Sequence, residues 1–291
     1  MSVIHTLSHT AWESYPDQDA VTALETGKIL FLPELQFQLE SEEMPLISPR
    51  LSDQKAKNIS LHIHTEELRG ANGTDAEMTL LKNMLKRYAV QSTSFLSSLI
   101  PGYANALQTG RTSLRPVEIT ERKAPSYRKD DTRLHVDAFP ANPNQGKRIL
   151  RLFCNIHPEG KPRLWRVGAP FREVAGDFLP KVPRQFPGSG HVLKSLKITK
   201  SLRTPYDHIM LNIHDRMKKN QDYQNTAAYT EIAFPAPAAW IVYTDQVSHA
   251  ALSGQHVLEQ TFYLPVSAMQ DENRSPLRIL EKITGEKLSL Y

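Results

Sequence analysis

Arg148-Ile149-Leu150-Arg151-Leu152-Phe153-Cys154-Asn155-Ile156 is a run of β-type sequence with two unlike faces. Side chains alternate across a strand, so Leu150, Leu152, Cys154 and Ile156 form an apolar set, while Ile149, Arg151, Phe153 and Asn155 mix polar and apolar groups. The apolar set should pack under helices. The mixed set suits the inside of a barrel, where Arg151 could meet a carboxylate in bidentate fashion and Asn155 could donate a further bond. The competing reading leaves Arg151 on a solvated strand face.

Working outward, strand-like runs recur at residues 117–120, 134–137, 230–234, 239–243 and 257–266, separated by turns such as Ala141-Asn142-Pro143-Asn144-Gln145-Gly146. Short strands at such intervals predict a sandwich or barrel. Upstream, residues 20–25 read as a short helix stopped by Gly27, residues 29–32 as a strand ended by Pro33, and residues 59–64 as an alternating strand. The clearest helix starts after Thr74, carries Leu80, Leu81, Met84, Leu85, Tyr88 and Ala89 on one stripe, and ends near Leu99 before Pro101-Gly102. A helix over 206–217 follows Pro205 within an insertion at about 170–230, and residues 276–287 read as a final helix. The fold class is α+β.

Ahead of the central strand stands Arg133-Leu134-His135-Val136-Asp137, and far downstream Val247-Ser248-His249-Ala250. Chance alone supplies roughly half an H-x-D tripeptide in a chain of this composition, so the context carries the reading. In a strand His135 and Asp137 share one face, and His249 can join them from a neighbouring strand. Two imidazoles and one carboxylate bind one face of a ferrous ion and leave the opposite positions open, which points to an oxygenase. Zinc is the second candidate.

Other polar residues have weaker claims. Gln260 shares parity with Leu258 and Phe262, and either points inward as a hydrogen-bonding residue or lies on a solvated face. Arg122, Lys123, Arg128, Lys129, Arg133, Lys147, Lys161, Arg163 and Arg166 either gather at a cavity mouth to bind an anion or form an ordinary solvated surface. His62 with His64, and His214 with Asp215, read as structural and surface groups respectively.

The chain has 291 residues, 40% hydrophobic and 23% charged, enough for one large self-folding domain. Its formal charge of +4 falls short of a dedicated nucleic-acid binder. One cysteine, Cys154, excludes an intramolecular disulfide and a thiolate cluster. Residues 1–12 lack the basic and apolar regions of a signal peptide, and no run approaches a transmembrane helix, so the expected location is the cytoplasm.

Taken together, the run 133–140, the strand 148–156 and the segment 245–255 resemble the bacterial Kdo hydroxylases, iron(II)/2-oxoglutarate-dependent dioxygenases that act on the inner-core sugar of lipopolysaccharide. The likeness covers most of the chain and is sharpest between about residues 115 and 265. It implies a double-stranded β-helix (jelly-roll) core at 114–266, a mainly helical N-terminal support at 1–113 and a C-terminal helix and tail at 267–291. It also implies hydroxylation at carbon 3 of 3-deoxy-D-manno-oct-2-ulosonic acid (Kdo) on Kdo-bearing lipid A, giving Ko, with O2 and 2-oxoglutarate consumed and succinate and CO2 released. His135, Asp137 and His249 fall on the iron ligands. Many 2-oxoglutarate oxygenases carry an arginine some ten residues after the distal histidine, where this chain has Glu259-Gln260. The expected cosubstrate anchor is therefore Arg151, with Arg148 behind it and Asn155 and Gln260 as auxiliary donors. Such a substrate would bring the enzyme into peripheral contact with the cytoplasmic face of the inner membrane, although no strongly amphipathic membrane helix stands out. The alternatives are a noncatalytic jelly-roll module binding an anionic glycan, and a 2-oxoglutarate hydroxylase of another substrate.

Overall fold

The computed structural model describes residues 2–53, 56 and 58–289. In chain order the elements are β1 (Ile4–Thr6), α1 (Gln18–Glu25), β2 (Ile29–Leu32), β3 (Ile59–His62), β4 (Glu67–Arg69), α2 (Asp75–Leu99), β5 (Gln108–Arg115), β6 (Arg148–Asn155), β7 (Arg163–Val167), α3 (Phe171–Phe178), α4 (Ser189–Ser195), α5 (Pro205–Lys219), α6 (Gln221–Thr226), β8 (Thr230–Phe234), β9 (Ala239–Tyr243), β10 (His249–Ser253), β11 (Val257–Leu264) and α7 (Pro276–Thr284). They build an eight-stranded sheet in the order β1-β2-β9-β6-β11-β5-β3-β4, and a three-stranded sheet, β10-β7-β8. The architecture is an α+β jelly roll.

β6 lies at the centre, antiparallel to β9 and β11, with Leu152 opposite Ile241 and Gln260. Its apolar set faces the helices as the alternation requires: Leu150, Leu152, Cys154 and Ile156 share one core with Leu81, Leu85, Tyr88 and Phe95 of α2. Helix α2 starts on a capping box, in which Thr74 Oγ1 accepts from the Glu77 N–H and the Glu77 carboxylate accepts from the Thr74 N–H. Tyr88 then ties the helix to the sheet by donating to the Leu152 carbonyl at 3.0 Å. Burial pushes the Cys154 thiol up to about 12, so it is an inert core group.

The opposite face of β6 looks toward the smaller sheet. Phe153, Trp165, Phe234 and Trp240 fill part of the space between the sheets, with Phe234 stacked on Trp240 at 4.2 Å and Phe153 stacked on it at 5.1 Å. Each ring buried there contributes roughly 2–3 kcal/mol as an upper bound. The aromatic wedge holds the sheets apart beside a polar cavity.

Three expectations change. Residues 117–120 are not a strand: β5 ends at Arg115, Pro116 supplies no N–H to a ladder, and a short 3-10 turn spans Ile119–Glu121. Residues 134–137 form only a single bridge, His135 to His249. The ladder stops there because the Gln224 side chain takes both backbone groups of Leu134, accepting from its N–H at 2.8 Å and donating to its carbonyl at 3.0 Å. Residues 1–113 do contain the long helix, yet they also place β1 to β4 and most of β5 in the main sheet. The division at 113/114 therefore cuts through β5. The helical insertion appears as α3 to α6 between β7 and β8; α5 covers the helix expected at 206–217, while α7 begins at the start of the helix expected at 276–287 but stops at Thr284, capped by Gly285 in a left-handed conformation.

Candidate metal centre

Backbone pairing assembles the site before any side chain acts. His135 and His249 exchange N–H···O bonds of 3.0 and 2.9 Å, and the Asp137 N–H donates to the Thr244 carbonyl at 2.8 Å. The segment carrying His249 is fixed from behind, where Arg148 Nε donates to Asp245 Oδ2 at 2.8 Å and its Nη2 to Gln246 Oε1 at 2.6 Å. Ligand atoms of His135, Asp137 and His249 consequently all lie within 4.8 Å of one another.

The tautomers follow from the second nitrogen of each ring. His135 Nδ1 lies 2.7 Å from the Arg133 carbonyl and His249 Nδ1 lies 2.8 Å from the Val247 carbonyl. A carbonyl only accepts, so each Nδ1 carries hydrogen and each Nε2 keeps a lone pair for a metal. Burial pushes both imidazoles below their ordinary range, and for His135 the neighbouring His249 adds to the effect, so both are neutral at pH 7. For Asp137, burial would raise the carboxyl, but the Arg151 guanidinium beside it outweighs that and holds the carboxylate ionised. Two neutral imidazoles and one carboxylate in a buried cluster are the donor chemistry that ferrous iron takes.

Arg151 lies behind the aspartate, with Nη2 2.8 Å from Asp137 Oδ2 and Nη1 3.0 Å from Glu259 Oε1. Both ends of its guanidinium already have carboxylates. Replacing Arg151 by leucine should weaken divalent-metal binding by about 10–100-fold, because Asp137 loses the partner that orients it and keeps it charged. A metal titration checks this, and lysine at 151 should recover part of the loss.

The three ligands line a cavity of about 1020 Å³. Its wall carries ten Lys or Arg side chains against four Asp or Glu, so it favours an anion. Arg128, Lys129, Lys147 and Arg163 line it, whereas Arg122, Lys123, Arg133, Lys161 and Arg166 do not. Arg163, on β7, is 2% exposed. It donates from Nη1 to the Gly254 carbonyl at 2.5 Å and forms no ion pair with any described residue. Burial first, then the Arg115 charge, pulls Arg163 down to about 9, leaving it protonated at neutral pH. Arg115 itself is paired with Glu259.

The other expected anchor residues do not meet the cavity. Arg148 shares parity with Leu150 and is fully buried against Asp245, Gln246 and the Tyr243 ring. Asn155 is at the end of β6, where its amide donates to the carbonyls of Lys161 and Phe234. Gln260 faces the helix side, accepting from Thr112 and donating to the Thr261 carbonyl. Their polar groups are satisfied by loop and strand partners. On the opposite parity of β11, Val257, Glu259, Thr261 and Tyr263 turn toward the cavity. His214 also departs from expectation: it lines the cavity, packs edge-on against His135 at 5.4 Å, and places Nδ1 3.0 Å from Asp215 Oδ1. His62 and His64 join no three-residue metal cluster among the described residues.

With this geometry in place, the chain matches a family model described as 3-deoxy-D-manno-oct-2-ulosonic acid (Kdo) hydroxylase over residues 8–287. It is similar to the apo structure of the Kdo hydroxylase KdoO, a non-heme Fe(II) alphaketoglutarate-dependent dioxygenase, at 44% identity and a TM-score of 0.94, covering 98% of this chain and 97% of that one. The same enzyme in complex with alphaketoglutarate and Fe(III) aligns at 43% identity and a TM-score of 0.93, again covering 98% and 97%. Its cobalt(II) complex aligns at 44% and 0.95, covering 99% and 98%. No curated protein matches the sequence.

Proposed function

The chain belongs to the Kdo hydroxylase family, whose Fe(II)/2-oxoglutarate-dependent dioxygenase activity it shares, and from that premise we propose that it hydroxylates carbon 3 of Kdo on Kdo-bearing lipid A, giving Ko. The reaction consumes 2-oxoglutarate and O2, and one oxygen atom enters the sugar C–H bond while the other enters succinate as CO2 leaves. The observation that carries the reading is one cavity holding both a facial His-Asp-His set and a buried arginine with no carboxylate of its own.

In this reading His135 and His249 offer their Nε2 lone pairs, and Asp137 offers the carboxylate that Arg151 keeps charged. Ferrous iron held by them supplies the redox chemistry that couples decarboxylation of the cosubstrate to activation of O2. Arg163 receives the distal carboxylate of 2-oxoglutarate through a charge-assisted pair in a dry pocket. Arg151, expected to do this, is already committed to Asp137 and Glu259. Phe153, Trp165, Ala251 and Val257 wall the inner end and exclude water. Toward the mouth, Arg111, Arg128, Lys147, Lys200 and Arg203 offer positive charge to the sugar carboxylate and the lipid phosphates. Such a substrate places the enzyme at the cytoplasmic face of the inner membrane. No described helix is long and apolar enough to cross a membrane, so the contact is peripheral.

Incubation of iron-loaded protein with 2-oxoglutarate, O2 and Kdo-lipid A should yield succinate and a lipid heavier by one oxygen atom, read by mass spectrometry. Succinate that rises only with a different acceptor would overturn the assigned substrate. Absence of both products would overturn the chemistry.

A further inference from the structure

The helical insertion carries a surface that extends beyond the hydroxylation site, sharing with it only Lys200, Ser201 and Arg203 at the cavity mouth. Among the large apolar side chains exposed in this protein, Phe186 (83%), Val192 (56%), Leu196 (65%) and Ile198 (54%) all fall within thirteen consecutive residues around α4. Val192 and Leu196 are four residues apart and so share one side of that helix and its terminus. The same stretch, residues 181–203, contains Lys181, Arg184, Lys194, Lys197, Lys200 and Arg203 and no Asp or Glu. Exposed apolar groups set among cations without a single acid match an anionic lipid surface, where the apolar groups enter the acyl boundary and the cations meet headgroup phosphates.

The patch is joined to the cavity wall. Lys200 donates its N–H to the Ala141 carbonyl at 2.9 Å, Ser201 Oγ donates to the Pro143 carbonyl at 3.0 Å, and Gln145 Nε2 donates to the Leu202 carbonyl at 3.1 Å. Pro143, Gln145, Lys200 and Ser201 all line the cavity. We propose that residues 181–203 form the membrane-docking face of the enzyme, seating Phe186, Val192, Leu196 and Ile198 in an anionic bilayer so that the cavity mouth opens onto the lipid surface. This rests on the lipid-linked substrate assigned above, and it explains why a cation-lined cavity borders an apolar patch. A scan for an amphipathic helix passes over the patch because α4 has only seven residues and the apolar groups extend into the loops on either side.

The test is co-sedimentation of the full chain with vesicles containing no Kdo, so that docking and hydroxylation fail separately. Protein should pellet with phosphatidylglycerol/phosphatidylethanolamine vesicles, much less with pure phosphatidylcholine, and less as salt rises. Phe186→Ser with Leu196→Ser, and separately Lys194→Glu with Lys197→Glu, should each lower partitioning about tenfold or more. Both pairs should keep the wild-type thermal shift with Mn(II) and 2-oxoglutarate, which reports an intact fold and site. Equal binding by wild type and both variants would overturn the proposal, as would no binding by wild type. A concentration-dependent dimer that the Phe186→Ser, Leu196→Ser variant abolishes would assign the patch to a second copy of the chain instead.

Discussion

A His135→Ala variant should bind ferrous iron too weakly to retain it and lose at least about 10³-fold in turnover, equivalent to roughly 4 kcal/mol of barrier. Two ligands from the remaining set, Asp137 and His249, no longer define a face. The fold should survive, because the bridge between His135 and His249 is made by backbone N–H and carbonyl groups that alanine keeps. Thermal denaturation separates the two effects. Saturating metal raises wild-type stability by about 2.7 kcal/mol at a hundred times Kd, and this increment should vanish in the variant while the metal-free melting temperatures stay close. A variant that keeps both the increment and turnover would remove His135 from the ligand set. His214→Ala supplies the contrast: its ring packs against His135 but belongs to no metal cluster among the described residues, so the metal-induced increment should persist.

The cluster of His135, Asp137 and His249 was legible because it rests on a short-range pattern. H-x-D puts two donors on one side, and a backbone bridge to His249 preserves that geometry even though no strand forms around His135. The strands with a plain apolar signal, the continuous runs 29–32 and 239–243 and the alternating 230–234, emerge at those bounds. β5 escaped for the opposite reason. Arg111, Ser113 and Arg115 face the cavity and Thr112 bonds to Gln260, so the strand reads as a polar loop. The inward face of a catalytic barrel lacks the apolar signal by which strands are found.

Parity also failed in an instructive way. It grouped Arg151 with Phe153, and both line the cavity; it grouped Gln260 with Leu258 and Phe262, and all three face the helix side. The periodicity was sound, but nothing in the sequence says which of two alternating faces points inward once the apolar face carries a satisfied polar group. Arg148 shows the same limit, since Asp245, ninety-seven residues away, neutralises it in the core. His214 and Asp215 were set aside because adjacent helix positions diverge. They do diverge along the backbone, yet the imidazole still reaches Asp215 and His135 together.

Arg163→Leu should raise the KM for 2-oxoglutarate by roughly 10²-fold or more, with metal binding unchanged. A carboxylate held by a guanidinium in two charge-assisted bonds gains about 1.5–3 kcal/mol from each, and about 3 kcal/mol corresponds to two decades in affinity. The stability change should run the other way. Arg163 is buried beside the Arg115 charge, has no ion pair among the described residues and is only partly offset by Asp131 and Glu118, so the metal-free protein carries a poorly compensated cation that leucine removes. The Gly254 carbonyl that Arg163 contacts still accepts from the Ile119 N–H at 3.4 Å, which limits the cost of losing one donor. The expected signature is therefore an unchanged or higher melting temperature without cosubstrate, together with loss of the extra stabilisation that 2-oxoglutarate gives the metal-loaded wild type. Arg163→Lys keeps the charge but not the planar fork, and should fall between the two. A purely structural arginine would lose stability on substitution and leave KM alone. If instead Arg151→Lys, and not Arg163→Leu, carries the KM effect with metal affinity intact, the cosubstrate is held at the front of the cavity by the guanidinium that also holds Asp137, and Arg163 belongs to the substrate sugar.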